Sequence, residues 1–193
     1  MQVAGEQRPG AMGAVIGLED DARIESLCEQ AAEVGVGVVV AANFNAPGQV
    51  VVSGEQAAVL RLGELVIEAG AKRFVELPVS GAFHSPLMQP AAEQMKALLQ
   101  AAPLVAPRVP ILSNVSAAPV IDPEQLRTHL IQQITSPVRW TETVRELVAM
   151  GVERAYEVGP GTVLKGLLRR IERGLAVACV GTAEELAELK EAE

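Results

Sequence analysis

Aromatic side chains are scarce: one Trp, one Tyr and three Phe make up 3% of the 193 residues. A core must therefore be filled by Val, Leu, Ile and Ala, which favours α/β layers over all-β sandwiches. Basic residues number 16 against 24 acidic ones, and a formal charge of -8 excludes an extended nucleic-acid footprint, which needs clustered Lys and Arg. The two cysteines, Cys28 and Cys179, are far apart and form no Cys-x-x-Cys pair. A disulfide framework and a zinc site are thereby excluded, and a reducing cytoplasm is the expected setting. Two distant histidines add no ligand spacing, so no metal or prosthetic group is expected. No apolar stretch approaches the roughly 20 residues that span a bilayer, and no basic segment followed by an apolar core marks a secretory signal. No Gly-x-Ser-x-Gly pentapeptide occurs between Met1 and Glu193, which excludes a nucleophile-elbow serine within these residues.

What is present is enough apolar material, 49% of the residues, to bury a core of one domain or two small ones. Ala11 to Leu18 reads as a strand, and acidic Glu19-Asp20-Asp21 precedes a helical recurrence of Ile24, Leu27, Cys28 and Ala31. Val36–Ala42 and Gln49–Val52 are strand-like runs joined by Asn43-Phe44-Asn45-Ala46-Pro47-Gly48, read as a long connection ending in a Pro-Gly turn. Ala58, Leu62, Leu65, Val66 and Ala69 share a helix face, Gly70 closes that helix, and Arg73–Val79 returns as a strand. The resulting βαββαβ order over 11–79 predicts a ferredoxin-like small subdomain.

Beyond Val79 strands alternate with helices. Ser85-Pro86 suits a helix start, with Met88, Ala91, Met95, Leu98 and Leu99 on the expected buried face. Val109–Leu112 is an expected strand, and Asp122-Pro123-Glu124-Gln125 a capping box before a helix that turns Leu126, Leu130 and Ile134 inward. Trp140, Val144, Leu147 and Val148 mark a further helix. Arg154–Val158 reads as a strand entering Gly159-Pro160-Gly161 and a helix through Arg173, and Leu175–Val180 as a buried strand. Residues 80–193 thus read as part of a larger, mostly parallel α/β unit.

The most informative segment is Gly81-Ala82-Phe83-His84-Ser85-Pro86-Leu87-Met88, which delivers a histidine to a helix entrance. A helix N-terminus favours neutral imidazole, the form that acts as a base. By position alone an ordinary loop histidine holding a local hydrogen bond is the favoured reading. Asn45 before Ala-Pro-Gly suits local turn chemistry as well as ligand binding. Gly159-Pro160-Gly161 reads as a plain strand-to-helix turn or as an anion-accommodating entrance. Lys165, Arg169 and Arg173 form a basic stripe that is either a solvated face or a docking surface for an acidic partner.

Taken in order, Asn43 to Val51, Gly81 to Met88, Ile131-Gln132-Gln133-Ile134-Thr135-Ser136-Pro137-Val138-Arg139-Trp140 and Tyr156 to Gly161 resemble malonyl-CoA:acyl carrier protein transacylases. The resemblance runs through essentially the whole chain. It implies an acyltransferase of fatty-acid biosynthesis, cytoplasmic and a monomer at full length, with malonyl-CoA and the phosphopantetheinyl acyl carrier protein as substrates rather than cofactors. It also implies the C-terminal part of an α/β-hydrolase-like parallel-sheet acyltransferase domain over 80–193. His84 matches the family's catalytic histidine, and Gln133 the residue whose main-chain carbonyl orients it in place of a triad carboxylate. Phe83 resembles the residue that narrows the acyl pocket, and Asn43 and Asn45 match asparagines near the cleft.

The same resemblance places the family's serine elbow, an oxyanion-hole glutamine and a carboxylate-binding arginine upstream of a Met-Gln pair matching Met1-Gln2. Ser80, Ser85 and Ser113 are not expected to replace that serine. The chain alone is therefore expected to be inactive, with an exposed sheet edge and apolar face, and a non-catalytic carrier-protein or small-ligand binding module is the alternative expectation.

Overall fold

The structure, a computed structural model, describes residues 9–32, 37–79 and 81–191 together with Gly5 and Gly35. Met1, Gln2, Val36 and Ser80 lie outside the described residues. The chain forms two compact units, Met1–Trp140 and Thr141–Glu193.

The first unit is built on β1 (Ala11–Ile16), α1 (Asp21–Ala31), β2 (Val39–Ala46), β3 (Gln49–Gly54), α2 (Gln56–Glu68) and β4 (Arg73–Glu76). The sheet order is β2-β3-β1-β4 and every pairing is antiparallel, as a ferredoxin-like βαββαβ unit requires. Alternation along the strands sends Val15, Val50 and Val52 to one face, where Ile24, Leu27 and Cys28 of α1 and Val59, Leu62 and Val66 of α2 cover them. Met12, Ala14, Ala42 and Val51 point to the other face and pack with Leu77 and Phe83. Both faces are thus buried, which is why these strands read as continuous apolar runs. Burial also pushes the Cys28 thiol up to about 12, with Glu25 and Glu29 adding to the effect. Gly13 and Gly63 flank the Phe74 ring so closely that a Cβ at either position would overlap it.

The strand ends differ from the sequence reading. β2 continues through Asn43, Phe44, Asn45 and Ala46, so only Pro47-Gly48 turns, with Gly48 at φ +67°. Register shifts between Ala41 and Asn43 and between Phe44 and Ala46 let the strand stay paired where a long connection was expected.

A 3-10 turn (Pro86–Met88) leads into α3 (Gln89–Ala101), followed by β5 (Ile111–Leu112), β6 (Pro119–Val120) and α4 (Pro123–Gln132). Asp122 caps α4 through Oδ2, which accepts from the Gln125 N–H at 2.7 Å. Only the start of α3 is buried: Met88, Ala91 and Ala92 pack with Ile134 and Phe83, whereas Met95 and Leu98 are 39% and 66% exposed. The expected buried stripe is therefore cut short, because the covering residues meet α3 at its first turn. β5 pairs antiparallel with β6 and not with a parallel neighbour.

α5 (Trp140–Ala149) has all but its first residue in the second unit, which also holds β7 (Arg154–Val158), α6 (Val163–Ile171), β8 (Ala176–Val180) and α7 (Ala183–Glu191). β7 and β8 are parallel, Arg154 opposite Ala176 through Val158 opposite Val180, the right arrangement for a helical crossover through α6. Leu175 is buried but β8 itself is half-exposed. No helix among the described residues is long and apolar enough to cross a membrane.

Candidate active site

The last carbonyls of a helix have no intrahelical N–H to accept from, so the end of α4 offers free acceptors. Three turn bonds shape that end: the Gln133 N–H donates to His129 O (2.8 Å), and the Thr135 and Ser136 N–H groups to Gln132 O (3.1 and 3.0 Å). The fold over of residues 132–136 turns the Gln133 and Ser136 carbonyls toward His84. Nδ1 of His84 lies 3.0 Å from Gln133 O and 3.2 Å from Ser136 O. A carbonyl oxygen only accepts, so two of them on one ring nitrogen place the proton on Nδ1. Nε2, which takes no hydrogen bond among the described residues, carries the lone pair of the neutral ring. Ser136 O is a second acceptor that the sequence reading missed; its one signal is that it sits within the Gln133-x-x-x-Pro137 segment.

The helix end nearest His84 differs from the expected one. Four residues, three of them the 3-10 turn that Ser85 caps, separate His84 from α3, whereas the carbonyls on Nδ1 come from the C-terminal end of α4 and the turn after it.

His84 has φ +57°, a left-handed conformation rare outside glycine. Phe83 beside it is half-buried and spans two apolar clusters, one on the second face of the ferredoxin-like sheet and one at the start of α3. Asn43 pairs with Val138 in a parallel bridge. The Phe44 N–H donates to Val138 O (2.9 Å) and the Val138 N–H to Ala42 O (2.8 Å), so β2 is stitched to the chain just after Ser136. Asn45 stands at the second register shift of β2. Asn43 and Asn45 are half-buried on the strand whose neighbour segment orients His84.

A groove of about 800 Å³ between α3 and α4 is lined by Glu93, Lys96, Glu124, Arg127, Gln132 and Thr135 among others, and includes neither His84 nor Phe83. Among the described residues no group of three or more His, Cys, Asp or Glu is placed to hold a metal ion. In the second unit Gly159-Pro160-Gly161 is a turn, and the N-terminus of α6 is already occupied by a carboxylate. Glu157 accepts from the Leu164 and Lys165 N–H groups at 2.9 and 2.8 Å. Desolvation acts to raise the Glu157 pKa, but these bonds, the Cys179 thiol and the Lys165 charge outweigh it and leave the carboxyl below its ordinary value. The anion-entrance reading of this turn is therefore replaced by an internal cap. Arg169 and Arg173 are exposed and Lys165 half-buried.

A ferredoxin-like subdomain, followed in sequence by a histidine held by main-chain carbonyls and by a parallel βαβ unit, is the arrangement of an acyltransferase domain. The acyl transferase domain family matches residues 2–187, and the chain belongs to that family. It is 44% identical over 188 residues to the malonyl CoA-acyl carrier protein transacylase of Escherichia coli (strain K12), covering 97% of this chain and 60% of that protein. It is also similar to the acyl-carrier-protein S-malonyltransferase of Bartonella henselae, with TM-score 0.90 and 44% identity over 99% of this chain and 62% of that one. A malonyl-transacylase solved with a type II polyketide synthase acyl-carrier protein gives TM-score 0.92 and 38% identity over 100% and 62% of the two chains. The chain thus spans about three-fifths of the length of these relatives.

Proposed function

We propose that this chain supplies the base half of a malonyl-CoA:acyl carrier protein transacylase. The observation that carries the reading is the double carbonyl contact on His84 Nδ1, which leaves Nε2 as the proton acceptor. The seryl nucleophile implied by the family is not among residues 1–193. In the proposed cycle Nε2 takes the serine hydroxyl proton as the oxygen attacks the malonyl thioester carbon. The C–S bond breaks, and coenzyme A leaves with the proton from the imidazolium. The pantetheine thiol of the carrier then yields its proton to Nε2 and attacks the seryl ester; the C–O bond breaks and the serine oxygen regains the proton. Gln133 and Ser136 hold the tautomer through their carbonyls, without a buried carboxylate.

Phe83 is the proposed wall of the acyl pocket. A ring fixed between two clusters has little room to yield, and one added methyl on the acyl group is disfavoured by about 1 to 3 kcal/mol. Asn43 and Asn45 are proposed to hydrogen-bond the thioester or pantetheine. Residues 11–79 act as the small subdomain and 80–193 as part of the large one. The carrier is an acidic protein met by Lys165, Arg169 and Arg173, in a cytoplasmic fatty-acid pathway with a monomeric enzyme.

The test uses a longer chain that joins these residues to a Gly-x-Ser-x-Gly segment. His84→Ala should lower malonyl transfer by about 10² to 10⁴-fold, the usual share of a positioned base. Near-normal turnover would defeat the base assignment. Carrier binding with no transfer by the unsubstituted longer chain would favour a non-catalytic binding module.

A further inference from the structure

We infer that Ser85 is the positioning residue that holds His84 in its left-handed, tautomer-selecting pose. The hydroxyl of Ser85 donates to Ala82 O at 2.7 Å and accepts from the Leu87 N–H at 3.2 Å, while Ser85 O accepts from the Met88 N–H at 3.0 Å. Ala82, Ser85 and Met88 are fully enclosed, and Leu87 is 2% exposed. Phe83 and His84 are thus the two half-buried residues between enclosed Ala82 and Ser85, and a single hydroxyl ties Ala82 to Leu87 across them.

The tie matters because the conformation it spans is strained. A non-glycine residue at φ +57° persists where its surroundings over-determine it. The Pro86 ring presets the following turn but supplies no donor, so the polar closure falls to Ser85 Oγ. That hydroxyl uses its donor and an acceptor at once, a pair of roles that alanine cannot reproduce. Without it Ala82 O and the Leu87 N–H are left enclosed and unpaired, and the loop gains by relaxing to ordinary φ. Relaxation swings Nδ1 off Gln133 O and Ser136 O, and the reason for the Nδ1–H tautomer goes with it.

The inference deepens the acyl-transfer reading and rests on it for its purpose, but its test is read in these 193 residues and needs no turnover. His84 and His129 are the only histidines, so ring ¹⁵N spectra at alkaline pH contain two spin systems. Ser85→Ala should shift His84 from a single Nδ1–H form to a mixture, lowering the ratio of oriented to unoriented ring about tenfold, the consequence of losing one net hydrogen bond. Ser85→Thr, which keeps the hydroxyl, should restore the Nδ1–H form. Ser113→Ala removes another buried serine whose Oγ accepts a turn N–H, from Val115, and should leave His84 unchanged. If Ser85→Ala does not fold, Ser85→Cys serves, with a thiol of similar size and weak hydrogen bonding. A folded Ala or Cys variant that keeps His84 wholly as Nδ1–H overturns the inference. So does an equal change in Ser113→Ala, which would make the effect one of general loosening.

Discussion

Arg127 offers a quantitative check on how the two arms of the site are held. Its side chain is 15% exposed, and Nη1 donates to Leu99 O and to Ala102 O, the latter at 3.0 Å. These carbonyls end α3, where acceptors lack intrahelical partners and a cation is favoured by the helix dipole. Arg127 belongs to α4, so it braces the helix that follows His84 against the helix whose end orients it. Bonds to a charged donor contribute about 1.5 to 3 kcal/mol each when lost, and both bonds are only part-buried, so water replaces part of that. About 2 kcal/mol remains for Arg127→Ala, which is roughly 30-fold in a local opening equilibrium. Amide exchange over the last turn of α3 should speed up by that factor. Arg127→Lys keeps the charge and its donors on a single nitrogen without the guanidinium fork and should lie between. Glu124 is 75% exposed and pairs with Arg127 at 3.3 Å, so Glu124→Ala should alter exchange by less than about threefold. Exchange in Arg127→Ala equal to that of the parent chain, or equal effects of Arg127→Ala and Glu124→Ala, would refute the brace.

Two titrating groups give further expectations. The Glu157 carboxyl is depressed, so its contribution to stability is present above the ordinary value of 4.5 and lost as pH falls through the lower folded value. Glu157→Gln should therefore flatten the acid limb of thermal stability below about pH 4.5, and an unchanged limb would contradict the cap. Cys28 is raised from 9.0 to about 12, chiefly by burial, so the native chain retains a proton that the unfolded chain loses. Stability should fall as pH rises through that window, and Cys28→Ala should remove that part of the alkaline loss. At about pH 8 a thiol reagent should label half-buried Cys179 well before Cys28, and equal labelling rates would count against the packing of α1.

The ferredoxin-like half was legible because its signals are local: short apolar runs in β1 and β3, a 3.6-residue recurrence in α1 and α2, and Gly48 and Gly70 at turn and helix end. What misled was β2. Asn43 and Asn45 carry turn-type side chains, and the strand persists through them because β3 on one side and Val138 on the other supply partners. Met95 and Leu98 obey helical spacing, yet spacing names a face without saying how far along the helix its cover extends. α7 was overlooked although Thr182-x-x-Glu185 announces it: Thr182 Oγ1 accepts from the Glu185 N–H, and the Glu185 carboxylate takes the Gly181 and Thr182 N–H groups. At the site, nothing local links residue 84 to residues 133 and 136. Motif resemblance suggested the first carbonyl, and the second needed the turn geometry after α4. The left-handed backbone at His84 had only a weak sequence signal, the modest enrichment of histidine at positive φ.

The central claim is that His84 is held as a neutral base with its proton on Nδ1 and its lone pair on Nε2. Ring ¹⁵N correlation spectra of the unsubstituted chain at alkaline pH test it directly. The account predicts a protonated Nδ1 and an unprotonated Nε2 for His84; a proton on Nε2, or rapid averaging between the two nitrogens, would contradict it.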